Sequence, residues 1–218
     1  MIRYRLGGLL LLLAAVYLLG EAWAVAGWQG RPYSWTTDTI SSLGVPETVI
    51  SGGVTLESTR HVAMNANFIS SGVRVVLAGL VLAPFVPRPG RWAVLPLVLV
   101  HGAGTVIVGF FPAGGATVRS AMHGLGAFMA IVGGAVLLVA IMLAVARRHP
   151  VLAAVTAGAA AVSLAGCVMA LAGIGGFGLA ERLAVDAVIV WQVLAGAVVL
   201  VTRPSADPSP RSGLDDGR

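Results

Sequence analysis

Nine side chains define the chemistry this chain can attempt: Glu21, Asp38, His61, Asn65, Asn67, Arg74, His101, His123 and Gln192. His61, His123 and Asp38 are enough in number for a zinc site with an open position. A His and Asp pair serves equally as general acid and base, and Asn67 can converge with them at the outer mouth. The spacing does not sharpen this reading. No His-x-x-x-His, His-x-x-Glu or Gly-x-Ser-x-Gly occurs in the chain, so Asp38, His61 and His123 stand only as weak catalytic candidates. His61 and His123 are the weak metal candidates, and neither a metal nor a cofactor is expected. Phosphate-binding glycine loops and haem-attachment motifs are absent from the sequence. His101 and His123 differ in depth by about 10 Å, which argues against one iron between them.

These residues must be held by an unusual framework. Of 218 residues, 57% are apolar and 11% charged, and the mean hydropathy is +0.92. A soluble domain carries about 25% charged residues, so a water-soluble globule is excluded, and so is a disordered chain. All 14 basic residues are arginine, for a formal net charge of +5. They are dispersed between apolar runs, so no nucleic-acid partner is expected. Cys167 is the only cysteine, which excludes an intrachain disulfide.

A bilayer core about 30 Å thick needs roughly 20 apolar residues per helix. Six stretches qualify, over 6–28, 62–86, 92–111, 120–146, 151–174 and 183–202. The fold class expected is therefore all-α, a six-helix integral membrane bundle spanning 1–203. An external lid loop covers 29–61, and a polar, disordered cytoplasmic tail covers 204–218. Arginine counting sets the orientation. With the N-terminus inside, Arg3, Arg5, Arg88, Arg91, Arg147, Arg148, Arg203, Arg211 and Arg218 are cytoplasmic, against Arg31, Arg60, Arg119 and Arg182 outside. Both termini are then cytoplasmic, in a bacterial inner (plasma) membrane. The first stretch also has the form of a secretory signal, but its apolar run through Trp28 is longer than a signal core, which favours a retained helix.

Depth then organises the polar residues. Measured from the outer helix ends, Asn65, His123 and Asp186 lie about 5 Å deep, Asn67 about 8 Å and Glu21 about 10 Å. Gln192 and His101 come next near 15 Å, and Arg74 at about 18 Å. The cytoplasmic half holds almost no polar side chain. Polar groups in hydrocarbon must face one another or a wet cavity, so an outward-facing pocket lined by Glu21, Asp38, Asn65, Asn67, Arg74, His101, His123 and Gln192 is expected above an apolar floor. An Arg74–Glu21 ion pair is expected to join the first two helices, and Arg182 is expected to pair with Asp186 at i,i+4. Within the loop, Ser34 to Gly44 reads as a short helix, capped by Thr36 or Thr37, with Asp38 as its helix-start acid.

The segment Tyr33-Ser34-x-x-x-Asp38-Thr39-Ile40-Ser41-x-Leu43-Gly44 resembles the signature of the DUF998 family of polytopic membrane proteins. Asn67-Phe68-x-x-x-Gly72, Gly109-Phe110-Phe111-Pro112 and His123-Gly124 continue the resemblance in order, over roughly residues 6–202. Members commonly carry an acid after the Phe-Pro, where this chain has Ala113-Gly114-Gly115, and the insertion Val45–Arg60 is longer than usual. The resemblance implies the six-helix architecture and no particular reaction.

Three functional readings are open. The first is a non-catalytic multi-pass protein that binds a lipid or small amphiphile in the outward pocket, or scaffolds a partner. The second is an intramembrane lipid hydrolase, metal-dependent or not. The third is a small-solute transporter or sensor, disfavoured because polar stepping stones are missing from the inner half. The partner expected in every reading is the lipid bilayer.

Overall fold

The computed structural model describes residues 1–115 and 117–202, so the tail expected over 204–218 lies outside the described residues. Six helical segments of 23 to 29 residues are long and apolar enough to cross a membrane. The first is built from α1 (Ile2–Leu12) and α2 (Ala15–Val25), and the second from α3 (His61–Leu82), extended by a 3₁₀ turn over Ala83–Phe85. Then come α4 (Arg88–Phe110), α5 (Thr117–Val145), α6 (Pro150–Ala172) and α7 (Phe177–Val201). Pro89 and Pro150 occupy the first turns of α4 and α6, whose N–H groups have no intrahelical partner anyway, while Pro96 lies inside α4. The chain is thus all-α in class and built as a multi-pass membrane protein.

Consecutive spans pack side by side from α3 to α7, and α7 closes the ring against α1. Six crossings bring both described ends to one face, where the Tyr4 and Thr202 hydroxyls meet at 3.1 Å. This is the terminal face, and the opposite one is the loop face. Close approach depends on small residues. A Cβ on Gly104 would stand 2.7 Å from Gly126 O, and one on Gly126 2.9 Å from Gly104 O, so α4 and α5 touch backbone to backbone.

The helices depart from expectation in two places, and both departures create partners for arginines within the bundle. The first span breaks at Leu13–Ala14, although neither Pro nor Gly marks the place. There the Ala14 N–H turns to Leu11 O at 2.9 Å, a three-residue step that releases Leu10 O from its usual i+4 donor. The last helix starts at Phe177, not 183, so Glu181 and Arg182 lie inside it.

The loop before α3 is not a capped helix. It opens with a turn over Trp35–Thr37 and continues into a 3₁₀ helix, Ser41–Gly44. Its second half is a small antiparallel sheet in which β3 (Val54–Ser58) lies between β1 (Trp28–Gln29) and β2 (Val49–Ser51). Gly52 and Gly53, with φ of +59° and +79°, make the tight turn between β2 and β3, the left-handed pair that a two-residue hairpin requires.

Candidate functional site

The loop fills the end of the bundle that was expected to be open. Ile40 and Leu43 are 1% and 0% exposed, and they pack with Tyr17, Met64, Phe68, Val108 and Ile189 into the core of the loop face. Around this apolar plug the polar residues form a clasp. Arg182 is its centre. Its Nη1 donates to Asp38 O at 2.7 Å, Gly178 O at 3.1 Å and Trp35 O at 3.3 Å, while Nη2 donates to the Tyr33 hydroxyl. The guanidinium also stands 4.9 Å from the centre of the Trp35 ring and 5.2 Å from that of Tyr33, a cation–π arrangement.

The residue before it works in parallel. Glu181 accepts from Ile40 N at 2.6 Å and from the Ser41 hydroxyl at 2.7 Å. Leu179 N donates to Thr36 O at 2.9 Å. Side chains at Gly176 and Gly178 would run into the carbonyls of Thr36 and Asp38, so only glycine lets the loop backbone lie on the first turn of α7. Tyr33 finishes the clasp by donating to Asp38 O and Thr39 O at 3.2 and 2.9 Å. Burial raises its phenol above the ordinary value.

Asp38 is not a helix-start acid. It takes a bidentate pair of bonds from Arg31, both 2.7 Å, and a third from Ser34 N at 2.7 Å. Burial pushes its carboxyl up, but the Arg31 and Ser34 bonds outweigh burial and hold it below the ordinary carboxylate range.

Two expected ion pairs are corrected. Glu21 does not reach Arg74; it pairs with Arg182 at 3.3 Å. Arg74 binds only neutral oxygens, with Nη1 on Leu10 O at 3.1 Å and Gln192 Oε1 at 2.9 Å, and Nη2 on the Ser71 hydroxyl at 3.0 Å. The carbonyl freed by the break in the first span is its backbone partner. Asp186 makes no ion pair with Arg182. With α7 starting at Phe177, it lies about 13 Å into the helix. It lies beside Glu21 and borders a shallow groove of about 420 Å³ between α6 and α7. Glu21 and Asp186 therefore both lie near Arg182, and Glu21 alone makes an ion pair with it among the described residues. Around them Tyr17 Oη, Glu21 Oε1, Asp186 Oδ1, Arg182 Nε and Gln192 Nε2 are buried without a hydrogen-bond partner among the described residues.

The other expected site residues are tied to backbone. Asn65 Nδ2 donates to Gly44 O and Asn67 Nδ2 to Tyr17 O, both at 2.9 Å. His61, His101 and His123 each direct Nδ1 to a different carbonyl, of Ser58, Ala130 and Phe111, at 2.8 to 2.9 Å. The structure brings no third ligand to any of them: among the described residues no three His, Cys, Asp or Glu side chains are grouped to hold a metal. Asp38, His61 and His123 share no hydrogen bond and stand as separate tethers.

The roles of Glu181 and Tyr33 are not evident from the sequence. An acid and a base side by side at the head of an apolar run, just after Gly173-x-Gly175-Gly176, are the available signal. Nor does the sequence reveal a cavity at the other end. A space of about 630 Å³ opens at the terminal face. Val75, Val94, Val98, Leu137, Trp191 and Val199 are among its walls, and Arg88, Arg91 and Arg148 are at its rim. The Trp191 indole, held by a 2.9 Å bond to the Thr156 hydroxyl, forms part of the deep wall.

A six-span helical bundle closed at one end by a clasped loop and hollow at the other is the class of protein that fold and site define. The chain belongs to the family described as "Protein of unknown function (DUF998)", whose family model matches residues 6–198. Neither a curated protein nor a solved structure matches the chain. The segment that carries the family resemblance can now be read physically. Tyr33, Asp38 and Ser41 make the clasp, Ile40 and Leu43 the plug, and Gly44 receives Asn65.

Proposed function

We propose that this protein is a non-catalytic membrane protein that binds a lipid or small amphiphile, with its termini in the cytoplasm and its binding site in the cavity of the terminal face. The outward-facing polar pocket expected from the sequence is not retained. Its residues are occupied with one another, with backbone, or with the loop that covers them.

The observation that carries the reading is the cavity itself. At about 630 Å³ it falls within the roughly 300–1,000 Å³ of small-molecule sites, which are mostly apolar with a few polar groups that fix orientation. Its wall is aliphatic and aromatic while its rim is charged, which matches a ligand apolar at one end and polar at the other.

Occupancy is tested by filling the space. Leu95 lines the cavity and is half-buried on α4, so Leu95→Trp narrows it from one side while Leu95→Met conserves volume. Native mass spectrometry on gently solubilised protein is expected to show a co-purifying amphiphile in wild type and Leu95→Met, and its loss in Leu95→Trp. Equal retention in all three, or none in any, overturns the reading.

A further inference from the structure

The geometry points to a binding site for one proton, held between the carboxyls of Glu21 on α2 and Asp186 on α7 beneath the clasp. It is independent of the amphiphile reading and of the cavity at the terminal face. The helices bring the two acids together. Arg182 and Asp186 are four residues apart on α7, one turn apart on one face. Glu21 Oε1 stands 3.3 Å from Arg182 Nη2, and its carboxyl is within hydrogen-bond reach of Asp186.

The two carboxyls leave a gap that a proton fills. Glu21 Oε1 and Asp186 Oδ1 are both buried, and neither receives a hydrogen bond among the described residues. Two ionised carboxyls are acceptors only and cannot satisfy each other. Nor do two carboxylates this close both stay ionised where water is excluded. Arg182 balances one of them, and its terminal nitrogens are spent on three carbonyls and the Tyr33 hydroxyl. A proton on Asp186 turns that carboxyl into a donor to Glu21. One bond then occupies both oxygens, and Glu21, Asp186 and Arg182 sum to zero charge.

No neighbour supplies positive charge in its place. Tyr17 shares a face of α2 with Glu21, and its buried hydroxyl has no partner among the described residues. Glu181 faces the pair from α7, with its oxygens taken by Ile40 N and the Ser41 hydroxyl. Tyr33 reaches Arg182 from the loop. All three are acids. The site is nevertheless reachable, because Asp186 lines the groove between α6 and α7. From α6 that groove takes Val155, Gly158, Ala159 and Val162, none of them ionisable. Its Val162 and Val190 are exposed on the outer surface of the bundle, whereas Glu21 is 3% exposed.

Two readouts on the full chain in neutral detergent test the site. The first is the melting temperature between about pH 6 and 8, where unfolded carboxyls are ionised. A proton bound only by the folded chain makes stability fall as pH rises, by about 3–5 °C per pH unit. Asp186→Asn replaces the acid proton with an amide donor and is expected to remove that part of the slope. The four histidines are common to both proteins and cancel in the comparison. The same slope in both overturns the proposal.

The second readout needs no change in stability. Dicyclohexylcarbodiimide is lipid-soluble and adds to a protonated carboxyl, whose proton goes to a reagent nitrogen and whose oxygen goes to the central carbon. Peptide mass spectrometry is expected to place the adduct on Asp186 in wild type. In Glu21→Gln, where Asp186 is left to ionise against Arg182, about tenfold less is expected. No adduct on Asp186 in wild type, or equal amounts in the two proteins, overturns the proposal. Loss of the adduct in sodium chloride but not in choline chloride would reassign the gap to a metal cation.

Discussion

The two ends of this bundle solve opposite problems with similar side chains. At the loop face, Arg182 and Glu181 are buried, and each is committed to the chain itself: Arg182 to three carbonyls and a phenol, Glu181 to a backbone N–H and a hydroxyl. At the terminal face Arg88 is exposed beside a hollow. The contrast separates arginine as a fastener from arginine as a receptor. A buried arginine whose donors are spent on backbone fixes a loop; an exposed arginine at the mouth of an apolar cavity can turn to a ligand.

The strongest way to break the comparison is to remove the fastener. Arg182→Met leaves Glu21 buried without its ion-pair partner, a loss expected to cost about 3–5 kcal/mol. At roughly 2–4 °C per kcal/mol for a chain of this size, detergent unfolding should occur on the order of 10 °C lower, with the loop cleaved faster by protease. An unchanged melting temperature would show that the clasp is ornamental and the apolar plug sufficient.

A smaller effect of opposite sign sharpens the picture. Asp186→Asn keeps the shape and replaces an acid that lies beside Glu21 and Arg182 with a neutral amide. The expected gain is about 1 kcal/mol, or 2–4 °C. A loss of stability instead would mean that Asp186 is the counter-charge on which Arg182 depends.

The smallest effect concerns acid. Asp38 is held below the ordinary carboxylate range, so its contribution is present above the unfolded value of about 3.9 and is lost as pH falls through the lower native value. The Arg31–Asp38 pair is partly exposed, at 34% and 9%, and an exposed pair is worth at most about 1 kcal/mol. Fluorescence of the loop tryptophans Trp28 and Trp35 should therefore be flat from pH 7 to 5 and change modestly only below about 4. A transition centred near pH 5 would assign the loop's acid sensitivity to a different group.

Much of the architecture is legible in the sequence because apolar length is a one-dimensional quantity. Five of the six spans begin and end within a few residues of where hydropathy places them. Hydropathy sets the sixth late because Glu181 and Arg182 look too costly to lie inside a helix in hydrocarbon. Loop backbone, which composition does not reveal, satisfies both. Depth along a helix says nothing of direction around it, and so it matches Arg74 with Glu21 when their side chains turn to different neighbours. The acceptor Arg74 does use, Leu10 O, is a main-chain group released by an unmarked break. The β2–β3 hairpin does have a visible signal, Gly52-Gly53 between Val49-Ile50 and Val54-Thr55-Leu56. The cavity has none, since its walls come from several helices that are distant from one another in sequence.

Arg74 also has a history within the life of each molecule. Its two partners outside α3 come from the first span, through Leu10 O, and from the last, through Gln192. During synthesis the first span already exists when α3 emerges, and the last has not been made. An arginine at the centre of a newborn span costs about 2.5–3.5 kcal/mol to insert, and the broken turn beside Leu10 presents an acceptor at that moment. Gln192 replaces nothing when it arrives; it completes a bond set that the first helix began. The break in the first helix thus gives Arg74 an acceptor that precedes it in the chain, and Gln192 gives it one that follows.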